Sequence, residues 1–297
     1  MLGETVDAAP GLWPRLLAEK LLSWVGEDSP YVDITTSALG LGDECVEMTI
    51  RAKSSGVASC TSEMALALGA LGVRVLSYIG SGEYFSEGDT VMRLRGSARD
   101  LLLVERTLLD VLMYASGIAT ATHSLVLQAR RANPRVRVAA TRKTPPGFRL
   151  CAKLAFLHGG GDTHRWGLSD ALIVKDSHVE IIGSLEEAVK RARRGKSFAH
   201  RLEVEVSRPE DALLAARLGA DIIMLDNMAP REVEQAVRLL EENGLRDKVV
   251  LEASGGIGPW NITAYAVSGV DVISTSYPFY HPERIDLSAE MKRVENC

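Results

Sequence analysis

Cationic side chains are concentrated in one short part of the chain, residues 141 to 178, where three motifs follow one another. They read Thr-Arg-Lys-Thr-Pro-Pro-Gly from Thr141, Gly-Gly-Gly-Asp-Thr-His-Arg from Gly159, and Lys-Asp-Ser-His from Lys175. The protein as a whole is acidic, with a formal net charge of -5. A local cationic cluster on an acidic protein attracts a small anion, whereas a nucleic-acid partner favours a broadly basic surface. The motifs therefore predict a ligand that carries carboxylates or phosphates.

The residue types in these motifs suit two kinds of anion. The planar guanidinium of Arg142 matches a carboxylate, and the compact ammonium of Lys143 suits a phosphate. His164 and Arg165 follow three glycines, which let the backbone approach a ligand closely. Lys175 follows an apolar Leu-Ile-Val run, so its charge needs a partner. Simpler interpretations stay open: a surface cation pair, a plain loop, or an ion pair with a neighbouring acid.

Two acidic residues after the cationic motifs are candidates for the same site. Glu205 and Asp226 lie on consecutive predicted strands, and both are expected to point into one site. Carboxylate oxygens are the ligands that Mg²⁺ prefers, usually together with substrate phosphates. Glu203 shares a strand face with Glu205, because residues two apart point the same way. The alternative is a structural network of ion pairs with Arg165 or Lys175.

The run Ser254, Gly255 and Gly256 comes after an apolar segment and before a helical one. Backbone amides in such a turn form a concave site for a phosphate. As an isolated motif the signal is weak, because many turns between a strand and a helix contain two glycines. Its position beside the acidic residues makes a phosphate site the favoured interpretation.

Beyond about residue 135, strand-like runs alternate with amphipathic helices. The predicted strands are 136–140, 171–174, 202–206, 221–225, 249–252 and 270–274. The predicted helices between them include 184–194, 209–218 and 230–243. Such alternation implies right-handed crossovers and a parallel sheet. The polar residues fall at the ends of successive strands rather than at one switch point, which favours a short β/α barrel over an open sheet.

The first part of the chain has a different pattern and predicts an α+β domain. Strands are expected at 46–50 and 90–94, where apolar and polar residues alternate. A helix is expected at 62–71, with Ser62 as its N-cap. We therefore predict an N-terminal α+β domain at 1–115, an incomplete α/β barrel at 116–275, and a C-terminal segment at 276–297 that packs back on the first domain.

The four cysteines, at positions 45, 60, 151 and 297, have no metal-site spacing and are too few for a disulfide scaffold. They are expected to be reduced thiols. Glu4 and Asp7 lie where a signal peptide would be basic and then apolar, so no signal peptide is expected. No apolar run approaches the roughly twenty residues needed to span a bilayer. The protein is therefore expected in the cytoplasm, without a membrane partner.

Taken together, these motifs resemble the quinolinate phosphoribosyltransferase family, also called carboxylating nicotinate-nucleotide pyrophosphorylase. The resemblance extends over residues 27 to 275 and includes further matches in the same order. These matches are 105–107, 116–120, 202–206, 223–228 and 251–257. Each piece alone is weak, but their common order makes the resemblance specific.

The resemblance implies conversion of quinolinate and phosphoribosyl pyrophosphate to nicotinate mononucleotide, pyrophosphate and carbon dioxide, with Mg²⁺ and no organic cofactor. It implies catalytic roles for Lys143, Lys175, Glu205 and Asp226, the last two as metal ligands. It implies substrate binding by Arg106, Arg142, Lys143, His164, Arg165, Lys175, Ser254, Gly255, Gly256 and Ser276. It also implies a homo-oligomer, a dimer or a hexamer, in which Arg106 reaches the site of a neighbouring subunit. On sequence alone, Arg106 is a single cation in an apolar helical run, and such a side chain often extends to solvent.

The chain departs from the family pattern at three places. Val32 replaces a glycine, Ser177 replaces an asparagine, and residues 274–281 replace an ending that contains glycine. Ser276 aligns best with that glycine, and Tyr280 or His281 with the family's histidine. Two alternatives stay open: a molybdenum-transport-associated relative of the same fold, and a ligand sensor without catalytic activity.

Overall fold

The structure of the chain is a computed structural model that describes residues 12–295 and residue 297. Glu4 and Asp7, from which the absence of a signal peptide was expected, lie outside the described residues. In the part of the chain that is described, no helix is both long and apolar enough to cross a membrane.

The described chain alternates helices and strands as follows. The helices are α1 Leu12–Asp28, α2 Ile34–Ala38, α3 Thr61–Ala70, α4 Ala98–Ala132, α5 Arg149–His158, α6 Asp176–Ile182, α7 Leu185–Gly195, α8 Pro209–Arg217, α9 Pro230–Glu242, α10 Ile262–Ala266 and α11 Tyr277–Tyr280. The strands are β1 Cys45–Ala52, β2 Gly56–Val57, β3 Arg74–Tyr78, β4 Tyr84–Phe85, β5 Thr90–Ser97, β6 Arg137–Ala140, β7 Leu172–Val174, β8 Leu202–Val206, β9 Ile222–Asp226, β10 Val250–Ser254, β11 Val272–Thr275 and β12 Leu287–Arg293.

The chain divides into two compact units. The first unit takes the chain up to residue 121, residues 150–160, and the chain from residue 281 onward. The second takes residues 122–149 and 161–280. The three domains predicted from the sequence stay a prediction, but α5 falls in the first unit rather than among the barrel residues. Its apolar face, which includes Ala152, Ala155 and Phe156, is buried.

The first unit contains an antiparallel sheet of four strands in the order β12-β1-β5-β3. Side chains of β1 alternate between buried and partly exposed, with Val46, Met48, Ile50 and Ala52 buried. This alternation and the strand at Thr90–Ser97 confirm the α+β prediction for this part of the chain. One detail was wrong, because α3 begins at Thr61 and has Cys60, in a left-handed conformation, at the N-cap position instead of Ser62.

A disulfide joins Cys45 to Cys297, so the expectation of four reduced thiols was wrong. The partners are 252 residues apart in sequence, and spacing rules for cysteine motifs give no signal at that distance. Antiparallel pairing of β12 with β1 brings them together, since Val46 is opposite Arg293 and Val294 donates its N–H to the Cys45 carbonyl. Cys60 and Cys151 are free and buried.

The second unit contains a parallel sheet of six strands in the order β6-β11-β10-β9-β8-β7. All six predicted strands are present, and helices α7, α8 and α9 follow the predicted segments closely. Asp162 extends the sheet beside β6, donating its N–H to Val138 and accepting the N–H of Ala140. The architecture confirms the predicted α/β fold, an incomplete barrel-like sheet with helices around it.

Strand register determines which side chains of this sheet share a face. Glu205 is opposite Met224, and Met224 is opposite Glu252. Since side chains alternate along each strand, these residues and Glu203 point to one side of the sheet. The intervening residues, among them Val204, are apolar and buried on the other side. We call the side that bears the acidic residues the inner face.

Candidate active site

A cavity of about 450 Å³ lies at the carboxyl ends of the strands in the second unit, and we call it the mouth cavity. It brings together most of the residues that the sequence predicted for the site. The predicted residues that line it are Arg142, Lys143, His164, Arg165, Lys175, Glu205, Asp226, Ser254, Gly255 and Gly256. The distribution of polar residues over the strand ends therefore corresponds to one cavity.

Two predicted residues are not among those that line the mouth cavity. Ser276 lies just after β11, where its carbonyl accepts the N–H of Phe279 in the first turn of α11. Arg106 belongs to the first unit, where it is exposed and forms an ion pair with Asp110, 3.3 Å away on the same helix. Their proposed contacts with substrate stay predictions.

Lys175 and Glu205 form a direct ion pair in the mouth cavity. Lys175 Nζ donates to Glu205 Oε2 at 2.7 Å. The glutamate side chain is only 9 % exposed, whereas the lysine side chain is 43 % exposed. The partner that the apolar run before Lys175 required is thus supplied by the next strand of the sheet. A ligand can still reach the ammonium group from the open side.

Two arginines lie close enough to influence each other. Burial lowers the pKa of Arg165, and the positive charge of Arg142 lowers it further. Arg165 Nη1 donates to the Ala171 carbonyl at 3.1 Å. The buried Nε of Arg142 has no hydrogen-bond partner among the described residues. Two repelling guanidinium groups and an unpaired buried donor form a site that an anion would stabilise.

A second cavity, of about 520 Å³, adjoins the same cations in the second unit. Arg142, Arg165 and Lys175 line both cavities, together with Ile173. The second cavity adds several apolar side chains of β7 and α6. The shared cations are therefore bordered by apolar surface on one side and by carboxylates on the other.

The strand end at Asp226 is held by its neighbour Asn227. Asn227 Nδ2 donates to Asp226 Oδ2 at 2.6 Å, and its N–H donates to the Ser254 carbonyl at 2.9 Å. Asn227 has a φ of +56°, a conformation that asparagine tolerates better than most residues. The following turn contains Gly255, which has a φ of +99°. These contacts fix the Asp226 carboxylate relative to the glycine turn.

His164 is surrounded by hydrogen-bonding groups of the chain itself. Its N–H donates to Asp162 Oδ1, and its Nδ1 accepts the N–H of Arg165, each at 2.7 Å. Its Nε2 lies 3.2 Å from Glu252 Oε2 and 3.5 Å from Glu203 Oε2. The two glutamates are 2 % and 1 % exposed, respectively. Both ring nitrogens are therefore engaged within the second unit.

This cluster retains a proton more strongly than an isolated histidine does. Burial is the largest influence on His164 and lowers its pKa, but the contacts with Glu203 and Glu252 outweigh burial and raise the pKa from 6.5 to about 10. Burial also raises the pKa of Glu203, and the charge of Glu252 adds to this effect, although His164 opposes it. The proton is thus a property of the group of three.

We expect the stability contributed by His164 to depend on pH. Because its pKa is higher in the folded protein than the unfolded value of 6.5, the stabilisation is complete below pH 6.5 and is lost as the pH rises through about 10. His164→Gln should lower the stability by roughly 2 kcal/mol at pH 6. The difference in Tm between the two proteins should narrow at pH 8 and again at pH 10. A constant difference over this range would contradict the cluster.

Seven residues that line the mouth cavity were not predicted from the sequence as site residues: Ala140, Thr141, Ile173, Met224, Asn227, Glu252 and Ser274. A signal was present for Glu252, which precedes Ser254 by two residues just as Glu203 precedes Glu205. Ser274 is buried, and its hydroxyl has no hydrogen-bond partner in the described part of the chain. Strand alternation applied to every strand end would have found both residues.

Two family models match this chain in succession. The model described as quinolinate phosphoribosyl transferase, N-terminal domain, matches residues 33–116. The model described as quinolinate phosphoribosyl transferase, C-terminal domain, matches residues 118–290. Together they span both the α+β part and the parallel sheet.

Similar proteins carry consistent names. A probable carboxylating nicotinate-nucleotide pyrophosphorylase of Methanothermobacter thermautotrophicus is 43 % identical over 268 residues, 90 % of this chain and 96 % of that protein. One of Archaeoglobus fulgidus is 45 % identical over 259 residues, 87 % of this chain and 98 % of the relative. The crystal structure of NadC from Streptococcus pyogenes aligns with a TM-score of 0.86 at 31 % identity, covering 97 % of this chain and 100 % of its own.

Proposed function

The chain belongs to the quinolinate phosphoribosyltransferase family, and we propose that its mouth cavity is where the reaction of that family takes place. The protein is a decarboxylating phosphoribosyltransferase of NAD biosynthesis. It converts quinolinate and phosphoribosyl pyrophosphate to nicotinate mononucleotide, pyrophosphate and carbon dioxide. The observation that carries the assignment to the cavity is the convergence there of two arginines, two lysines, three acidic residues and a glycine turn.

The cations of the cavity are divided between the two substrates. Arg142, Arg165 and Lys175 border apolar surface and would hold the two carboxylates of quinolinate. Lys143 and the amides of the Ser254–Gly256 turn would hold phosphate groups, where a compact charge and backbone N–H donors are effective. Positioning of the ring nitrogen against the ribose carbon supplies much of the rate.

Mg²⁺ is the proposed metal, held by Glu205 and Asp226. One oxygen of each carboxylate is bound within the chain, by Lys175 and by Asn227. Among the described residues the other oxygens, Glu205 Oε1 and Asp226 Oδ1, have no hydrogen bond, so the donor set fits an ion with few protein ligands. When bound, the ion supplies neutralising charge for the departing pyrophosphate.

The remaining chemistry needs no organic cofactor. Departure of pyrophosphate leaves positive charge on the ribose, which the Glu205 and Asp226 carboxylates would stabilise. Attack by the ring nitrogen of quinolinate produces a pyridinium. Its positive nitrogen accepts the electron pair that remains when the adjacent carboxylate leaves as carbon dioxide. The arginines and Lys175 keep that carboxylate oriented until it leaves.

The assignment is tested by measuring the products together. Purified protein with quinolinate, phosphoribosyl pyrophosphate and Mg²⁺ should release pyrophosphate and carbon dioxide in equal amounts. Chelation of the metal should stop both releases, and added Mg²⁺ should restore them. Pyrophosphate release with nicotinate but not with quinolinate would exclude the decarboxylating reaction, and no release with either pyridine would favour the ligand sensor.

A homodimer is the proposed assembly, with hexamers built from it as an alternative. Three exposed apolar side chains in the first unit, Tyr31, Val32 and Ile34, lie within four residues of one another, and exposed apolar groups of this kind often mark an interface. Arg106 is also exposed in that unit, although its helix is otherwise largely apolar. We propose that Arg106 acts on quinolinate in the site of a second subunit.

Arg106→Ala should therefore abolish turnover and leave the fold intact. Mixing this variant with Lys175→Ala should restore part of the activity, because one of the two sites in a mixed dimer would then be complete. Turnover after subunit exchange is the measurement, and an Asp110→Ala variant is the control for loss of the helix ion pair. No recovery after exchange has been verified would contradict a contribution across the interface.

The cytoplasmic location expected from the sequence is also a proposal. The Cys45–Cys297 disulfide makes it testable, because the cytoplasm keeps most thiols reduced. Alkylation of thiols in intact cells, followed by mass spectrometry of both cysteines, would show whether the bond exists there. Reduced cysteines in the cell would agree with the cytoplasm, whereas an intact disulfide would favour an oxidising compartment.

A further inference from the structure

Glu252 has no part in the binding roles proposed above, yet it lines the mouth cavity. It lies on the inner face of β10, is 2 % exposed, and has no hydrogen-bond partner for its Oε1 among the described residues. Its Oε2 is 3.2 Å from His164 Nε2, and His164 lines the cavity too. Burial of a carboxylate in this way is costly unless it shares a proton or binds a ligand.

The arrangement of His164 decides between these possibilities. Its Nδ1 accepts the Arg165 N–H and so carries no proton, which means that the proton shared within the group of three lies on the side of Nε2, between the ring and the carboxylates, where Glu252 is the nearer one. A metal ligand would have to offer Nε2 without a proton. Although His164, Glu203 and Glu252 lie close enough together to hold a metal ion, the geometry therefore favours a shared proton over a metal.

The proposed reaction needs one proton at a defined atom. When the carboxylate leaves as carbon dioxide, the electron pair of the broken carbon–carbon bond stays on the ring carbon. That carbon must form a bond to hydrogen before carbon dioxide recombines with it. Met224, which is opposite Glu252 in the register, contributes an apolar side chain to the cavity wall at this level.

Other titratable groups of the cavity are less suited to donate a proton to the ring carbon. Lys175 is bound to Glu205, and loss of its proton would break that ion pair. Lys143 is assigned to phosphate, where its charge is needed. Arginines do not release protons in proteins. The proton between His164 and Glu252 has no such second task.

We propose that His164 and Glu252 form the proton donor of the decarboxylation step, an inference that depends on the proposed function. The proton passes from the pair to the ring carbon, the carbon–hydrogen bond forms with the electron pair left by carbon dioxide, and water returns a proton to the pair. Glu203, which contacts the same nitrogen at 3.5 Å but is not among the residues that line the cavity, is a positioning residue.

The test compares Glu252→Gln with Glu203→Gln, because both changes neutralise an equally buried carboxylate near the same imidazole. Pyrophosphate, carbon dioxide and nicotinate mononucleotide are measured for each protein with quinolinate and phosphoribosyl pyrophosphate. The reaction is repeated in an equal mixture of H₂O and D₂O. The ratio of hydrogen to deuterium at the new carbon–hydrogen bond then reports which group donates.

Glu252→Gln should release pyrophosphate at least about tenfold faster than carbon dioxide, since a tenfold change corresponds to only about 1.4 kcal/mol. The dicarboxylate nucleotide should accumulate, and the hydrogen-to-deuterium ratio should change. Glu203→Gln should keep equal release and the wild-type ratio, even at a lower rate. If Glu252→Gln does not fold, His164→Gln provides the same comparison.

Equal release of pyrophosphate and carbon dioxide by Glu252→Gln, with an unchanged isotope ratio, would overturn the proposal. A change of the hydrogen-to-deuterium ratio in Glu203→Gln alone would also overturn the proposal, because the donor would then be His164 with Glu203 rather than His164 with Glu252. Failure of the wild-type protein to make nicotinate mononucleotide would instead count against the proposed function, so the two failures are distinguishable.

Discussion

Lys175→Met is expected to lower kcat/KM by about a thousandfold, a loss of about 4 kcal/mol of transition-state stabilisation. The substitution removes the cation that borders both cavities and leaves the nearly buried Glu205 without its partner at 2.7 Å. A buried carboxylate that loses a charged donor is destabilised and repels an anionic substrate. Because the lysine is 43 % exposed, methionine can occupy the space without displacing the core.

Lys190→Met is the matched control for this change. Lys190 also pairs with a glutamate, Glu186, but both side chains are more than half exposed on helix α7. An exposed pair of this kind contributes little to stability. Steady-state rates and Tm should therefore be nearly unchanged in the control. If the two variants lost activity to the same extent, a specific contribution of Lys175 would be excluded.

Gly255→Ala is expected to raise the dissociation constant for phosphoribosyl pyrophosphate by about a hundredfold, or close to 3 kcal/mol. A methyl group at this position would overlap Asn227 Oδ1 and would lie 2.7 Å from the Asn227 backbone nitrogen. An alanine at position 255 would also have to adopt a φ of +99°. The chain must move to remove the overlap, which disturbs both the amides proposed to bind phosphate and the Asn227 contact with Asp226.

Two other glycines separate the causes of this effect. Gly244 has a φ of +64° and nothing within 4 Å of an added methyl group, so Gly244→Ala measures strain alone. Gly256 has a φ of +59° and equally open surroundings, but lies in the proposed phosphate turn. Calorimetric titration with phosphoribosyl pyrophosphate should show tight binding for Gly244→Ala. Binding by Gly255→Ala as tight as in this control would remove the turn from the phosphate site.

The strands of the second unit could be predicted because local signals and tertiary structure agree there. Each strand is a short apolar run followed by polar residues, and Pro209 and Pro230 mark the starts of two helices. The pairing of Cys45 with Cys297 could not be predicted in this way, because it depends on the register of strands at opposite ends of the chain. Assignment of α5 to the first unit depends likewise on packing rather than on local pattern.

The site was predictable to the extent that its residues lie at strand ends. Lys175 illustrates the limit of such prediction. Its need for an acidic partner was evident from the sequence, but identifying that partner as Glu205 required knowledge of the strand order in the sheet. Glu252 illustrates another, because an acidic residue inside an apolar strand has no evident role until His164 is seen beside it. Composition and motifs identify the chemistry, whereas the sharing of protons depends on three-dimensional distances.

The bond between Cys45 and Cys297 closes a covalent ring that contains all twelve described strands. A ring of this length restricts the denatured chain, and in the loop-entropy description it stabilises the folded state by roughly 5 kcal/mol. It also changes what a protease can achieve. One cut anywhere between the two cysteines opens the ring but releases no fragment. In denaturing gel electrophoresis the nicked protein should therefore migrate as a single molecule until a reductant separates its two pieces.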